Sequence, residues 1–130
     1  MTIETVSLRK LKSSFPNPRA KPVEPPFELY HEEIGQFYRN EMKVMARLCA
    51  WQNTQQAFEF GTFNGFTTLV LAMNSQPEAQ VFTLDLPREG KVRTAIPLEH
   101  YNKTFVECRG WLYFKGNHHE SRIATIYKDS

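Results

Sequence analysis

Two glycines separate a short apolar segment from a longer one in the middle of this 130-residue chain. They are Gly61 and Gly65, in the stretch 57–74 that reads AFEFGTFNGFTTLVLAMN. Glycine adopts turn conformations that other residues avoid, and it lets a ligand approach the main chain. The residues before the turn predict a strand, and those from about Phe66 to Asn74 predict a helix. Strand, glycine turn and helix in this order are typical of a parallel α/β sheet with a ligand site at the turn.

Three other segments fit the same architecture. Apolar positions recur every three or four residues from Phe27 to about Trp51, which predicts an amphipathic helix. Residues 81–87, VFTLDLP, predict a second strand that is stopped by its proline. Residues 122–130, RIATIYKDS, predict a third strand after a long crossover. The predicted fold class is therefore α/β, with a parallel sheet of about three strands and flanking helices.

Proline marks off the first part of the chain. Residues 16–26, PNPRAKPVEPP, hold five of the eight prolines. Proline fixes φ and lacks an N–H donor, so this segment predicts an extended arm rather than a helix or an inner strand. We divide the chain into an extended N-terminal arm, residues 1–26, and a domain, residues 27–130. The arm is expected to lie over the domain surface; the alternative is a ligand for a proline-binding module.

Charge and cysteine content exclude several classes of protein. A formal charge of +2 is too small to predict a nucleic-acid or membrane partner. No apolar run approaches the ~18 residues of a membrane span, and the N-terminus lacks the apolar core of a secretion signal. The cysteines, Cys49 and Cys108, form no CxxC pair, so a reducing compartment fits better than a disulfide framework. These features predict a cytoplasmic protein.

The spacing around the glycine turn narrows the choice of ligand. A phosphate-binding P-loop needs a lysine that is missing here, and the dinucleotide fingerprint GxGxxG needs glycine where Phe63 stands. The remaining candidate is a ligand with a carboxylate, an amine and a ribose but no phosphate. Asp85 ends the second strand, 24 residues after Gly61, where a carboxylate can accept both ribose hydroxyls. Thr67 and Thr68 add hydroxyl donors in the first turn of the following helix.

Glu59 is an acid inside the first apolar strand. Placed just before the turn, its carboxylate can orient the N–H groups of the loop or receive an ammonium group. The alternatives are a solvated side chain at Glu59 and a simple strand-end acid at Asp85. The presence of both acids around one glycine turn favours the functional interpretation.

These residues resemble a known family. EFGTFNGFTTLVLA followed by VFTLDLP is similar to the first and second cofactor motifs of class I S-adenosylmethionine-dependent methyltransferases. The similarity is greatest to the small-molecule O-methyltransferases with an E-x-G-T-x-x-G-x-[ST]-T turn, and it runs from about residue 30 to residue 130. It implies a Rossmann-like fold and S-adenosylmethionine as the cofactor.

The resemblance also implies a role for each residue of the turn and its neighbours. Thr67 matches a hydroxyl that holds the cofactor's carboxylate, and Asp85 matches the acid that binds its ribose. The third strand ends near the adenine, here at Asp129 and Ser130. The turn wraps the methionine part, and the expected cofactor-binding residues are Glu59, Gly61, Thr62, Phe63, Gly65, Thr67, Asp85, Asp129 and Ser130.

The chain departs from this family after the third strand. Family members have seven strands, and the fourth usually carries an acid for metal binding or proton transfer. The sheet is thus expected to be truncated, with no identifiable catalytic residue and no metal site. The expected function is the cofactor-binding portion of an enzyme that methylates oxygen or nitrogen of a small-molecule acceptor. The alternatives are a non-catalytic S-adenosylmethionine-binding or assembly module and, disfavoured by the glycine spacing, a nicotinamide-dependent oxidoreductase fragment.

An unpaired sheet edge predicts self-association. Without a fourth strand, the strand at Ala57–Phe60 has one open edge, with no proline or lysine to discourage pairing. We therefore expect a homo-oligomer, most simply a homodimer.

Two further motifs have competing interpretations. The basic and aromatic stretch 109–122 is expected to pack on the sheet or to act as a lid, rather than to stack on single-stranded nucleic acid. His118-His119-Glu120 is expected to be a solvated loop rather than a metal site, because no third ligand is evident nearby. Cys49 is expected in the core.

Overall fold

The computed structural model of the chain describes residues 6–30, 37–85 and 112–127. Within these ranges, no helix has both the length and the apolar character needed to cross a membrane. The helices are α1 (Leu8–Lys12), α2 (Arg39–Gln52) and α3 (Phe66–Asn74), with a 3-10 turn at Glu120–Arg122. The strands are β1 (Gln56–Phe60), β2 (Gln80–Asp85) and β3 (Ile123–Tyr127).

The three strands form one parallel sheet in the order β1-β2-β3. Glu59 of β1 lies opposite Thr83 of β2, which lies opposite Thr125 of β3. The predicted parallel α/β sheet with flanking helices is confirmed. The predicted positions of β1, α3 and β2 agree with the structure within one or two residues; the end of the predicted third strand, 128–130, lies outside the described residues.

The predicted helix from Phe27 to Trp51 is wrong in its first part. Phe27 and Tyr30 lie in a turn in which the Tyr30 N–H donates to the Phe27 carbonyl at 3.3 Å. α2 begins only at Arg39, after an extended Tyr38 whose N–H donates to the Glu41 carboxylate at 2.7 Å. The apolar spacing misled because Phe27 and Tyr30 enter the same core as α2 without being helical. Residues 31–36 of the predicted helix lie outside the described ones.

The N-terminal arm contains one short helix that the sequence did not predict. α1 follows Ser7, whose hydroxyl accepts the Lys10 N–H at 3.2 Å, and this part of the arm has no proline to prevent a helical turn. The proline segment 16–26 has no helix or strand, as predicted. It is tied to the helices by a bond from the Asn17 N–H to the Trp51 carbonyl at 2.8 Å.

Asn74, the last residue of α3, fixes the end of the arm. Its side-chain amide accepts the Val23 N–H at 2.8 Å and donates to the Val23 carbonyl at 3.1 Å. The same amide nitrogen donates to the Val70 carbonyl one helical turn back. Around Val23 the arm therefore lies against the end of α3, and the division of the chain into an arm and a domain remains a prediction.

The core lies between the helices and one face of the sheet. α2 packs on α3, and two clusters of buried apolar residues contribute to the core. Cys49 is buried at the end of α2, as predicted, and Cys108 lies outside the described residues. The first cluster contains Tyr30, Met42, Ala46, Phe66 and Val70, and the second contains Leu69, Leu112 and Phe114.

The opposite face of β1 is exposed. Because side chains alternate along a strand, Phe58 and Phe60 point away from the face on which Glu59 meets α3. Their side chains are 51% and 82% exposed, and their rings pack on each other with centroids 4.9 Å apart. Among the described residues, β1 pairs with β2 alone.

Candidate cofactor site

The glycine turn lies at the carboxyl end of β1 and closes on itself. Gly61, Phe63 and Gly65 all have positive φ, at +85°, +48° and +75°. The Gly61 N–H donates to the Leu84 carbonyl at 2.7 Å, which continues the β1–β2 ladder by one residue. The Gly65 N–H donates to the Thr62 carbonyl, also at 2.7 Å. The turn is thus anchored at both ends before α3 begins.

The two glycines are required for different reasons. A Cβ on Gly65 would lie 2.7 Å from the ring of Phe114, so this position excludes a side chain by packing as well as by conformation. A Cβ on Gly61 would meet no described atom within 4 Å. Positive φ is therefore the constraint at Gly61, and the described residues leave the space around that Cβ position unfilled.

Asn64 holds the turn against α3, and sequence reasoning missed it. Its side-chain oxygen accepts the Phe66 N–H at 3.1 Å, and its carbonyl accepts the Tyr113 N–H at 2.9 Å. Asparagine beside a glycine that begins a helix is a known turn signal, so the local sequence contained a clue. The contact with Tyr113, 49 positions away, had none.

Glu59 lies beneath the turn and accepts bonds from hydroxyl groups. Its carboxylate accepts the hydroxyl of Thr68 on α3 and that of Thr83 on β2, the latter at 2.9 Å. Thr83 is fully buried, and its hydroxyl also bonds that of Thr62 at 2.7 Å. The link from Glu59 to the turn therefore runs through two threonines, a connection that sequence reasoning did not find. The available signal was Thr83, a polar residue among the apolar residues of the predicted second strand.

Burial raises the pKa of Glu59 to about 7. The hydroxyls of Thr68 and Thr83 act in the opposite direction because they stabilise the carboxylate, and the negative charge of Asp85 adds to the increase. Among the described residues, no lysine, arginine or histidine forms an ion pair with Glu59. A carboxyl group that titrates near neutrality thus lies directly under the turn.

Asp85 lies beside the turn, as predicted. It is the last residue of β2 and directly follows Leu84, whose carbonyl bonds the Gly61 N–H. Its side chain is half-buried, and its register partner on β3 is Tyr127. The sheet therefore brings Gly61 and Asp85 together at one edge, across a separation of 24 positions.

The first turn of α3 contains the two predicted threonines, and the structure gives them different roles. The Thr67 hydroxyl lies at the interface with α2, where it donates to the Met42 sulfur at 3.8 Å. The Thr68 hydroxyl is engaged by Glu59. Of the pair, Thr67 is the one whose weak sulfur bond a ligand carboxylate could replace. The predicted adenine neighbours, Asp129 and Ser130, lie outside the described residues.

The described part of the 109–122 stretch packs on α3. Leu112 and Phe114 are buried against Leu69. The Arg122 guanidinium donates to the carbonyls of Ala72 and Gln76, at 2.8 and 2.6 Å, near the end of that helix. This is the packing role predicted for the stretch.

His119 is part of the same arrangement. Its Nδ1 lies 2.6 Å from the Arg122 guanidinium, and burial, His118 and Arg122 together lower the pKa of His119. Across the described residues, no group of three or more histidine, cysteine, aspartate and glutamate side chains is arranged to hold a metal ion.

Comparison with known proteins finds similarity at the level of structure. No protein-family profile matches the sequence, and no curated protein matches it. A crystal structure of a putative O-methyltransferase from Klebsiella pneumoniae aligns with 73% of this chain at a TM-score of 0.51 and 14% identity. The cofactor-bound protein Rv0187 from MTB aligns with 73% of the chain at the same TM-score and 18% identity.

The alignments cover only part of these proteins. The chain spans 36% of the length of each, or about a third. At this level of identity, the similarity shows the fold alone. The described chain is a three-stranded, Rossmann-like portion of an α/β architecture, in common with these two proteins.

Proposed function

We propose that this chain binds S-adenosylmethionine at the glycine turn, as the cofactor-binding portion of a methyltransferase. The observation that carries the proposal is the juxtaposition of Gly61 and Asp85 at the carboxyl edge of the sheet, where no described atom lies within 4 Å of a Cβ placed on Gly61. Ligands of parallel α/β sheets bind at this edge. The similarity of fold to a putative O-methyltransferase and to a cofactor-bound protein supports the same assignment.

Residues around the turn bind different parts of the cofactor. The backbone of Gly61 leaves room for the methionine part to lie against the main chain. Thr67, in the first turn of α3, offers its hydroxyl to the carboxylate, which also lies near the partial positive charge of the helix N-terminus. Asp85 accepts the two ribose hydroxyls from the neighbouring strand end. Phosphate is not required at any of these contacts.

In the complete enzyme, the described residues hold and orient the cofactor. When bound, S-adenosylmethionine supplies an electrophilic methyl group for in-line displacement. The turn and β2 fix its position relative to the sheet, which is the orientation part of catalysis. We propose an oxygen or nitrogen of a small molecule as the acceptor. A cytoplasmic location remains a prediction from the sequence.

Isothermal titration calorimetry with S-adenosylmethionine and S-adenosylhomocysteine tests the proposal. We expect Asp85→Ala and Gly61→Val each to weaken or abolish binding, since the first removes the ribose acceptor and the second places a branched side chain in the turn. Gly116→Val is the matched control, because Gly116 also has positive φ, at +74°, and open space around it, but lies outside the site.

Three outcomes of the titration are distinct. Binding that survives Asp85→Ala and Gly61→Val together would remove the basis for the site. Binding lost equally in Gly116→Val would point to strain rather than ligand contact. Binding without turnover of any small-molecule acceptor would favour the alternative, a non-catalytic S-adenosylmethionine-binding or assembly module.

A further inference from the structure

Glu59, Thr83 and Thr62 form a hydroxyl relay that connects a titratable group to the glycine turn. Thr83 lies 2.9 Å from the Glu59 carboxylate and 2.7 Å from the Thr62 hydroxyl. Thr62 and Thr83 are 3% and 0% exposed, so water does not readily replace these bonds. The carbonyl of Thr62 in turn accepts the Gly65 N–H. The relay therefore reaches the backbone bond that closes the turn.

The number of hydroxyl protons determines which group donates and which accepts at each bond of the relay. A threonine hydroxyl has one proton to donate. When Glu59 is a carboxylate, Thr83 donates to it, so the bond between Thr83 and Thr62 must take its proton from Thr62. When Glu59 is protonated, it can donate to Thr83, and the sequence of donors can reverse. The ionisation of Glu59 is thus linked to whether the Thr62 hydroxyl, in the turn, donates to Thr83 or accepts from it.

Among the described residues, no positive charge faces Glu59. β2 places the Asp85 carboxylate within range, and its field opposes ionisation of Glu59. α3 and the turn, residues 61–74, carry no titratable side chain, and β3 adds Tyr127 beside Asp85. Among the described residues, Glu59 has no cationic partner. A carboxylate that is largely removed from water is normally paired, and a ligand can supply the counter-charge that the described residues do not provide.

We infer that Glu59 is a positioning residue whose ionisation is coupled to ligand charge: binding of a positively charged ligand at the glycine turn drives a proton from Glu59 to solvent. In this step the carboxyl O–H bond breaks, the proton passes to the buffer, and the carboxylate becomes the counter-ion of the ligand. This inference rests on the proposed function. The positive charge that drives ionisation of Glu59 is the sulfonium of S-adenosylmethionine. A pKa near neutrality in the free protein gives Glu59 a proton to release.

Calorimetry at pH 7 in buffers of different ionisation enthalpy measures the proton released on binding. S-adenosylmethionine carries the sulfonium charge, and S-adenosylhomocysteine lacks it. If the bound cation lowers the Glu59 pKa by one unit, about 0.4 proton leaves per ligand. We expect that release with S-adenosylmethionine and a clearly smaller release with S-adenosylhomocysteine.

Two variants separate ionisation from hydrogen bonding. Glu59→Gln keeps a carbonyl oxygen to accept the Thr68 and Thr83 hydroxyls but removes the titration, so we expect no charge-dependent proton release. Thr83→Val breaks the relay and removes one donor to the carboxylate, and we expect the Glu59 midpoint to move upward in a carbon-13 NMR titration of the free protein. Thr125→Val is the control, because Thr125 is the β3 register partner of Thr83 and leaves the relay intact.

The outcomes distinguish the inference from the proposed function. The absence of binding by either compound would overturn the proposed function and the inference with it. Binding with equal proton release for the two compounds, or unchanged release in Glu59→Gln, would overturn the inference alone. A Glu59 midpoint that Thr83→Val does not move would show that the relay does not control the carboxyl group.

Discussion

The ring of Phe114 occupies the space in which a Cβ on Gly65 would lie, with ring carbons 2.7 and 2.8 Å from that position. Residues 49 positions apart thus fit together at the start of α3. Because Gly65 also has positive φ, both the backbone and the packing exclude a side chain there.

Gly65→Ala should lower the free energy of unfolding substantially. The left-handed conformation costs an alanine about 1 kcal/mol, and the overlap with Phe114 adds about 1–3 kcal/mol. Gly61→Ala is the matched control, since it has the conformational penalty without the overlap. Denaturant unfolding of both variants measures the difference. Equal losses would mean that Phe114 moves away freely, and rescue of Gly65→Ala by Phe114→Leu would confirm the contact.

Stability should depend on pH through Glu59. Its pKa is raised to about 7 in the folded protein, from an ordinary value of 4.5, so the folded state holds more protons between these values. Stability therefore falls as pH rises from about 4.5 to about 7, by about 3 kcal/mol at most, and then levels off. Unfolding measured from pH 4 to 9 for the wild type and for Glu59→Gln should show this slope only in the wild type.

Glu120 offers a control of opposite sign. A bond from Lys115, together with the Gly116 N–H, lowers the pKa of Glu120, so its contribution is present above pH 4.5 and is lost as pH falls through the lowered value. Glu120→Gln should leave the fall in stability between pH 4.5 and 7 unchanged. A wild-type profile that rises over that window would contradict the assignment to Glu59.

The 130-residue chain should bind the cofactor but not transfer methyl groups to small hydroxylated or amine acceptors. In the proposed function the described residues position a cofactor, and methyl transfer is expected also to need activation of the acceptor by an acid–base group or a metal. A radiolabelled methyl-transfer assay with the pure chain measures this. Turnover that is abolished by a single substitution would place catalytic residues within these 130 positions.

We propose that the chain self-associates through β1. Among the described residues, its outer edge is unpaired, and Phe58 and Phe60 lie exposed on the face away from α3. Replacement of both by serine should shift the sedimentation profile at micromolar concentration toward the monomer. Leu29→Ser is the control, because Leu29 is a comparably exposed apolar residue, at 48%, outside the sheet. A wild-type chain that sediments as a clean monomer would refute the proposal.

Local sequence patterns were enough to predict the order β1, glycine turn, α3, β2 and the place of Asp85. These features are set over short distances: alternating burial in a strand, positive φ at glycine, and a strand that ends where its proline follows. Parallel strands then bring their carboxyl ends to one edge, so the neighbourhood of Gly61 and Asp85 could be predicted without coordinates.

The start of α2, the relay beneath the turn and the contact of Phe114 with Gly65 depend on tertiary packing and could not be predicted from the sequence. Apolar spacing reports that Phe27 and Tyr30 are buried, but a turn buries them as well as a helix does. Thr83 acts on Glu59 because the sheet register places them opposite each other. Such contacts join residues far apart in sequence, and their geometry depends on how strands and helices pack, which no local pattern encodes.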